Sequence, residues 1–390
     1  MKLIIFEDSD LNGLLPFSFN HSPIELRLGA FTNLERFQRL YNNLDIILIV
    51  RKDLEDFIKE RYPDLAINPQ EISEGICLNS SVILKSEHLE IINKGDALSN
   101  RNKLISFKLN KRVLLDDFHQ LINKKKDVTI SCDIPVIQNI WDIFAYHKIQ
   151  LKADFNHFSL NNNYSYHHSL IMINQDNIYI GNNVKIKAGV IIDASAGPVI
   201  IDKEVVIDHG SLIEGPNYIG KQTYVAPISK IRANNIIGPM CKVGGELTNN
   251  NFLGYSNKVH DGFLGHSYIG EWVNIGAGTN NSNLKNNYSL VKVRVENKIH
   301  KTDLQFLGSL IGDYTRIAIG TNLNTGTFIG LGSNIFNHRL QDNYIPSFSW
   351  GKDGKVQFEN FISTLTKMKK RRGKNISSIE KKSIEKIYSK

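Results

Sequence analysis

A repeat of six residues constrains this 390-residue chain more than any other feature. From position 201, Ile or Val stands at 201, 207, 213, 219, 225, 231, 237 and 243. The same spacing occurs at Ile180, Ile186 and Ile192, at Ile269 and Ile275, and at Ile311, Ile317, Leu323, Ile329 and Ile335. Gly often follows the aliphatic, and a small or β-branched residue such as Val184, Thr223, Ser229 or Thr315 stands four positions on. Helices repeat at 3.6 residues and strands at 2, so neither explains a period of six. A coil with three flat faces does. Each face is a short strand and a tight turn, the aliphatic points into a triangular core, and each coil covers the edge of the next. The expected fold of this part is a parallel β-helix.

The N-terminal part has another rhythm. LIIF (3–6), DIILIV (45–50) and GICLNSSVIL (75–84) read as buried strands. Between them, 30–43 and 52–63 read as amphipathic helices, which predicts an α/β domain with a mainly parallel sheet. The organisation read from this is an α/β domain over 1–155, a polar linker over 156–170, a β-helix over 171–345 and a basic helical tail over 346–390. In the tail, apolar residues at 358, 361, 362, 365 and 368 suit a helix packed on the scaffold. The remainder reads as a solvated helix.

The net charge of +8 resolves once it is located. Residues 366–390 hold ten Lys/Arg and two Glu, so the rest of the chain is near neutral. That argues against a nucleic-acid surface spread over the fold. No run of about 18 apolar residues predicts a membrane helix. The opening MKLIIFEDSD turns acidic at once, as a buried strand does and a signal peptide does not. Cys77, Cys132 and Cys241 form no CxxC, which fits neither a disulfide framework nor a zinc ribbon and suits a reducing cytoplasm.

An α/β domain followed by hexapeptide coils resembles the GlmU family. These are bifunctional enzymes, an N-acetylglucosamine-1-phosphate uridylyltransferase at the N-terminus and a glucosamine-1-phosphate N-acetyltransferase at the C-terminus. LLPFSFNHSPIELRLGAFTNLERF, GGELTNNNFLGYSNKVHDGFLGHSYIGEWVNIGAGTNNSNLKNNYS and NTGTFIG are similar to the Bacteroidetes-type branch of that family. The resemblance covers the chain up to about 345 and is strongest in the coils. It implies a nucleotidyltransferase-like first domain, a left-handed β-helix and a homotrimer acting on an amino-sugar phosphate. Acetyl-CoA would be the co-substrate, and no nucleic acid, membrane or metal takes part in the acetyl transfer.

The resemblance also implies roles by position. Glu246 precedes His260 by fourteen residues, as in the family, and NIGAGT follows at 274–279. His260 is the implied base and Glu246 its partner. Asn283, Gly276 and Ala277 form the acetyl-CoA side, and Arg232 and Asn274 the sugar-phosphate side. Phe263 replaces the family's Tyr three residues after the His. The residue types suit the chemistry: an ammonium must lose a proton before it attacks, and His titrates near working pH. The thioester carbonyl becomes an oxyanion, which backbone or amide donors stabilise. Residues 280–307 read as an Asn-rich loop that leaves the coil toward a neighbouring subunit.

The first domain departs from the family. Its nucleotidyltransferases carry a GxGTR-like loop and a metal-binding Asp. Here the segment has only Gly13, Leu11 and His21 stand where Arg is expected, and Asn79, Ser80 and Ser81 stand near the Asp position. Arg27, with Glu25 and Asn79, is the substitute candidate for sugar phosphate. UTP and Mg²⁺ are implied only if this domain is active. Two other readings stay open: a sugar-1-phosphate nucleotidyltransferase whose β-helix only oligomerises or regulates, and a non-catalytic trimeric scaffold. A metal site built on His260 and His266 lacks a visible third ligand.

Overall fold

The computed structural model describes residues 2–126, 129–159, 163–336 and 340–390. Parts of the linker (160–162) and of the last coils (337–339) therefore lie outside the described residues.

The period of six builds three stacked parallel sheets. Strands from Ser165–Tyr166 to Ser349–Trp350 form the first face, those from Ile171–Ile173 to Phe263–Gly265 the second, and those from Ile178–Ile180 to Tyr344–Ile345 the third. Together they make a left-handed parallel β-helix. The aliphatic column is its core: Ile201, Ile207, Ile213, Ile219, Ile231 and Ile237 are fully buried. Each contributes about 1.5–3 kcal/mol relative to exposure.

Asparagine closes the corner between the second and third faces. Asn235 N–H donates to Asn217 Oδ1 (2.7 Å), Asn250 N–H to Asn235 Oδ1 (3.0 Å) and Ser267 N–H to Asn250 Oδ1 (3.1 Å). A buried amide at this rung satisfies backbone groups that a turn would otherwise leave unpaired.

The Asn-rich stretch is explained by the same chemistry, and the reading of a loop from 280 needs correction. Asn280–Asn281 remain in the coil and pair with Asn322–Leu323. Their side chains accept from the backbone of Phe263 (2.7 Å) and Gly265 (2.8 Å), taking the place of ladder bonds. The excursion begins at Ser282 and carries a hairpin, Lys292–Val295 with Lys298–Lys301. It folds back on the chain's own N-terminal domain, where Val291 and Val293 are buried with Leu14, Phe17 and Trp141.

The N-terminal sheet has strands β1 (Lys2–Phe6), β2 (Asp45–Ile49), β3 (Ala66–Ile67), β4 (Gly75–Asn79), β5 (Ala97–Asn100), β6 (Lys103–Leu109) and β7 (Ile130–Ser131), in the order β7-β5-β6-β4-β1-β2-β3. β1 is parallel to both neighbours, β2 and β4, while β6 runs antiparallel to β4 and β5. Helices α1 (Asn33–Leu40), α2 (Glu55–Arg61), α3 (His88–Lys94), α4 (Leu115–Lys126) and α5 (His147–Phe155) accompany it. The Thr32 hydroxyl starts α1 by accepting from Glu35 N–H in a reciprocal capping box.

This domain covers the third face of the β-helix. Tyr179, Ile200, Tyr218 and Ile236 pack on Phe31 and Leu151, and Tyr268, Leu310 and Phe328 on Leu14 and Phe17. The tail does the same from another side. Helices α6 (Phe358–Lys370) and α7 (Ser378–Tyr388) bury Phe361, Leu365 and Ile384 against Tyr314, Leu331 and Phe348. The expected solvated end is thus a packed helix, because Lys369 and Tyr314 both engage the Glu380 carboxylate (2.5 and 2.8 Å).

Candidate functional site

The second face stays open, and most of the expected acetyl-transfer residues stand on it or at its edges. Between Arg232 and Glu246 the coil is shortened: Lys230 pairs with Glu246, sixteen residues on, where Leu212 pairs with Lys230, eighteen on. The shortening sets the Arg232 guanidinium 3.2 Å from Glu246, with Glu214 at 3.9 Å on the preceding coil. Glu246 is also in register with Phe263 on the following coil.

His260 is exposed at the corner between the first and second faces. Among the described residues its imidazole makes no hydrogen bond, so Glu246 does not orient it. Gly276 and Ala277 occupy the same corner one coil later. Gly276 N–H donates to Ile317 O (2.9 Å) and is not free to meet an oxyanion. A Cβ on Gly276 would lie 2.5 Å from Ile319 N, which is why only Gly fits there.

Asn283 stands at the opposite edge of the second face, where its amide donates to His266 Nδ1 (2.9 Å). Burial pushes the His266 imidazole down to about 4, so it is a neutral acceptor. Phe306 stacks on it at 5.3 Å. His266 is thus bound to Asn283 and not paired with His260. Asn274 is exposed on the first face and accepts from Asn257 (3.4 Å), which in turn accepts from Arg372 of the tail (2.8 Å). Arg27 lies away from all of these. It is buried at the domain boundary, donating to Ala30 O (2.5 Å), paired with Glu35 (3.4 Å) and lying over Tyr218.

A second candidate site lies in the N-terminal domain. A cavity of about 820 Å³ opens beyond Glu7 and Asp8, at the C-terminal end of β1. There β2 and β4 flank β1 on opposite sides, the crevice in which open α/β sheets take ligands. Asp10 and Asn12 line it from the loop, Tyr344 from the β-helix, and Lys386 and Tyr388 from α7. The share taken by the C-terminal tail had no signal in the sequence beyond its charge.

The metal that a nucleotidyltransferase uses does not fit this crevice in the expected way. Asp8 is paired with Lys103 (3.1 Å) and Lys126 (3.2 Å). Burial alone would raise its carboxyl, and the two lysines override that and hold it low. Asn79 donates to Leu104 O and accepts from Ser81 N–H, both at 2.9 Å. Among the described residues no group of three His, Cys, Asp or Glu is placed to hold a metal ion.

Comparison with known proteins agrees with this architecture. Residues 3–163 match the family model of sugar nucleotidyl transferases. The bifunctional sugar-1-phosphate nucleotidylyltransferase/acetyltransferase of Sulfurisphaera tokodaii is 32% identical over 159 residues, covering 40% of this chain and 37% of that protein. The bifunctional protein GlmU of Thermodesulfovibrio yellowstonii is 32% identical over 158 residues, 40% of this chain and 31% of its own length. GlmU of Buchnera aphidicola is 26% identical over 340 residues, 81% of this chain and 68% of that protein.

The chain is thus similar to bifunctional GlmU proteins and carries a sugar nucleotidyl transferase domain over residues 3–163. It spans about a third of the length of the first two relatives, at 37% and 31%. Among the described residues no helix is long and apolar enough to cross a membrane.

Proposed function

We propose that the second face carries acetyl transfer from acetyl-CoA to the amine of an amino-sugar 1-phosphate, with glucosamine 1-phosphate as the substrate. The product would feed UDP-N-acetylglucosamine synthesis in the cytoplasm, in a GlmU-like protein of the Bacteroidetes-type branch. The observation that carries this reading is the Arg232–Glu246 pair (3.2 Å) on an open face beside the exposed His260. Arg232 meets the phosphate and Glu246 the sugar hydroxyls. His260 takes a proton from the amine as nitrogen bonds to the thioester carbon, and the C–S bond then breaks as His260 passes that proton to sulfur, releasing CoA thiol. With Gly276 N–H engaged, oxyanion stabilisation falls to Ala277 N–H and the Asn283 amide. Asn274 faces substrate from the neighbouring face.

The assembly in this reading is a homotrimer. The third face is covered by the chain's own domain and the tail packs along the edge of the first, which leaves the second face and the rest of the first for neighbours. His260 and Asn283 stand at opposite edges of one face, so a site using both takes one from each of two subunits.

Coenzyme A thiol release from acetyl-CoA and glucosamine 1-phosphate, wild type against His260→Ala, tests the proposal. Release in the wild type that falls at least about 100-fold in the variant supports it. No release from a folded trimer would sink it. The 820 Å³ crevice favours a second reading, in which the N-terminal domain binds a sugar nucleotide. That reading predicts UTP binding to a chain that releases no CoA. Arg27 takes no part in it.

A further inference from the structure

One residue of the β-helix core breaks the rule that builds it. Along the inner row of the first face stand Ile186, Ile207, Val225 and Val243, then Lys258, then Ile275, Ile317 and Ile335. Lys258 pairs in register with Val243 and is fully buried, among the largest side chains with no solvent contact. An ammonium inside an apolar column is costly unless its donors are used. Its Nζ donates to His260 O (2.5 Å) and Asp261 O (3.0 Å). A Cβ on Gly262 would lie 3.3 Å from that nitrogen, so the ammonium sits directly beneath the turn.

The turn matters because of what stands on it. Residues 260–262 form the corner that presents His260, and Gly262 has φ of +122° there. Asp261 O also accepts from Gly278 N–H of the next coil (3.0 Å), and in this coil two successive corner carbonyls meet a single cation. Elsewhere the corner is held differently. Ser211 and Ser229 hydroxyls bond the carbonyls of Asp208 and Ala226, and Thr321 bonds Ala318 O. Those hydroxyls are neutral and satisfy ordinary turns. Only the coil bearing His260 has the charged device among the described coils.

We propose that Lys258 is a positioning residue: its buried ammonium holds the His260–Asp261 backbone and thereby fixes the direction of the His260 imidazole. The inference rests on His260 being the base of acetyl transfer. Burial pushes the ammonium down to about 8, and the Asp261 carboxylate works against that. Filling the core is not what the residue is for, since an aliphatic does that at seven neighbouring rungs.

The test replaces Lys258 by Met and by Gln in the full-length chain. Met restores the aliphatic column, and Gln keeps a donor of shorter reach. Lys258→Met is expected to fold with an unchanged or higher Tm and to lose about 30-fold or more in kcat with acetyl-CoA KM within twofold. Lys258→Gln should recover part of that kcat. In ¹³C-histidine NMR spectra the ring signals of His260, assigned through His260→Ala, should shift in Lys258→Met while those of His209 stay in place. A variant that is folded, keeps kcat and leaves the His260 signals unmoved would overturn the proposal. So would activity that falls only in step with Tm. If the wild type releases no thiol, the acetyl-transfer reading fails, and the NMR shift still decides whether Lys258 sets the corner. Should Lys258→Met not fold, Lys258→Gln carries the same NMR comparison.

Discussion

His21 Nε2 lies 2.7 Å from the Asp313 carboxylate, joining the N-terminal domain to the β-helix. The imidazole is buried, which works against its charge, and Asp313 overrides that and holds it up at about 10. Glu25 completes the cluster with Arg61 (2.6 Å). Burial would raise its carboxyl, but Arg61 and His21 hold it down at about 2. Removing one member leaves buried charge unpaired, so His21→Leu should cost about 3–5 kcal/mol. The sign with pH follows. The His21 contribution is complete below its ordinary value of 6.5 and is lost as pH rises through about 10. The Glu25 contribution is complete above 4.5 and is lost as pH falls through about 2. Urea melts at pH 6 and pH 9.5 should show the wild-type advantage over His21→Leu shrinking at the higher pH. A constant difference would contradict the assignment.

His147 predicts the opposite slope. It is fully buried beneath the third face, donating from Nδ1 to Asn234 O (3.1 Å) with Nε2 near the Asn251 amide (3.3 Å). Burial pushes it down to about 4 from 6.5. The unfolded chain therefore takes up this proton first, and stability falls as pH drops from 6.5 toward 4. Thermal melts of His147→Gln should lose that part of the acid slope.

The buried Asn ladder ties stability to the site. Asn235 donates to Arg232 O (2.5 Å) and accepts from Asn250 N–H (3.0 Å). Asn235→Leu leaves these groups unpaired and should cost about 2–3 kcal/mol. In the proposed acetyl transfer it should also raise the KM for sugar phosphate several-fold, because Arg232 loses its backbone anchor. An unchanged Tm would count against the ladder.

Ile228 is a β-branched residue at φ +55°, 77% exposed at the corner where Gly210 and Gly245 stand on neighbouring coils. The left-handed conformation costs about 1–2 kcal/mol for such a side chain. Ile228→Gly should relieve that strain, seen as a higher Tm at low protein concentration. It should also weaken self-association in sedimentation equilibrium, since an apolar side chain leaves an open corner. An unchanged monomer–trimer balance would remove Ile228 from the proposed subunit contact.

How much of this the sequence made legible depends on the corners. Where coils hold eighteen residues, as from Ile201 to Val243, the aliphatic phase is visible and the buried column follows from it. Beyond Val243 the turns shorten, and Val243 pairs with Lys258 only fifteen residues on. The inner positions then become Leu247, Phe252, Lys258 and Leu264, the last three six apart but out of phase with the column that ends at Val243, and one of them not aliphatic. Lys258 was hidden for that reason, although it adjoins the His that the family resemblance marks. The Arg232–Glu246 contact comes from the same shortening. The domain packing was not legible either, because Asp313 and His21 are 292 residues apart and neither stands out in its own segment.

The covered third face also bears on how such a chain can change over generations. Solenoids usually tolerate gain or loss of a whole repeat, since each coil touches only its neighbours. Here the N-terminal domain grips rungs from Tyr179 to Tyr344. Deleting one coil would move every later rung by about 4.8 Å against that domain, and would carry Asp313 out of reach of His21. Insertions and deletions should therefore be confined to excursions such as 282–308, and the coil number is set by the globular domain that lies along it.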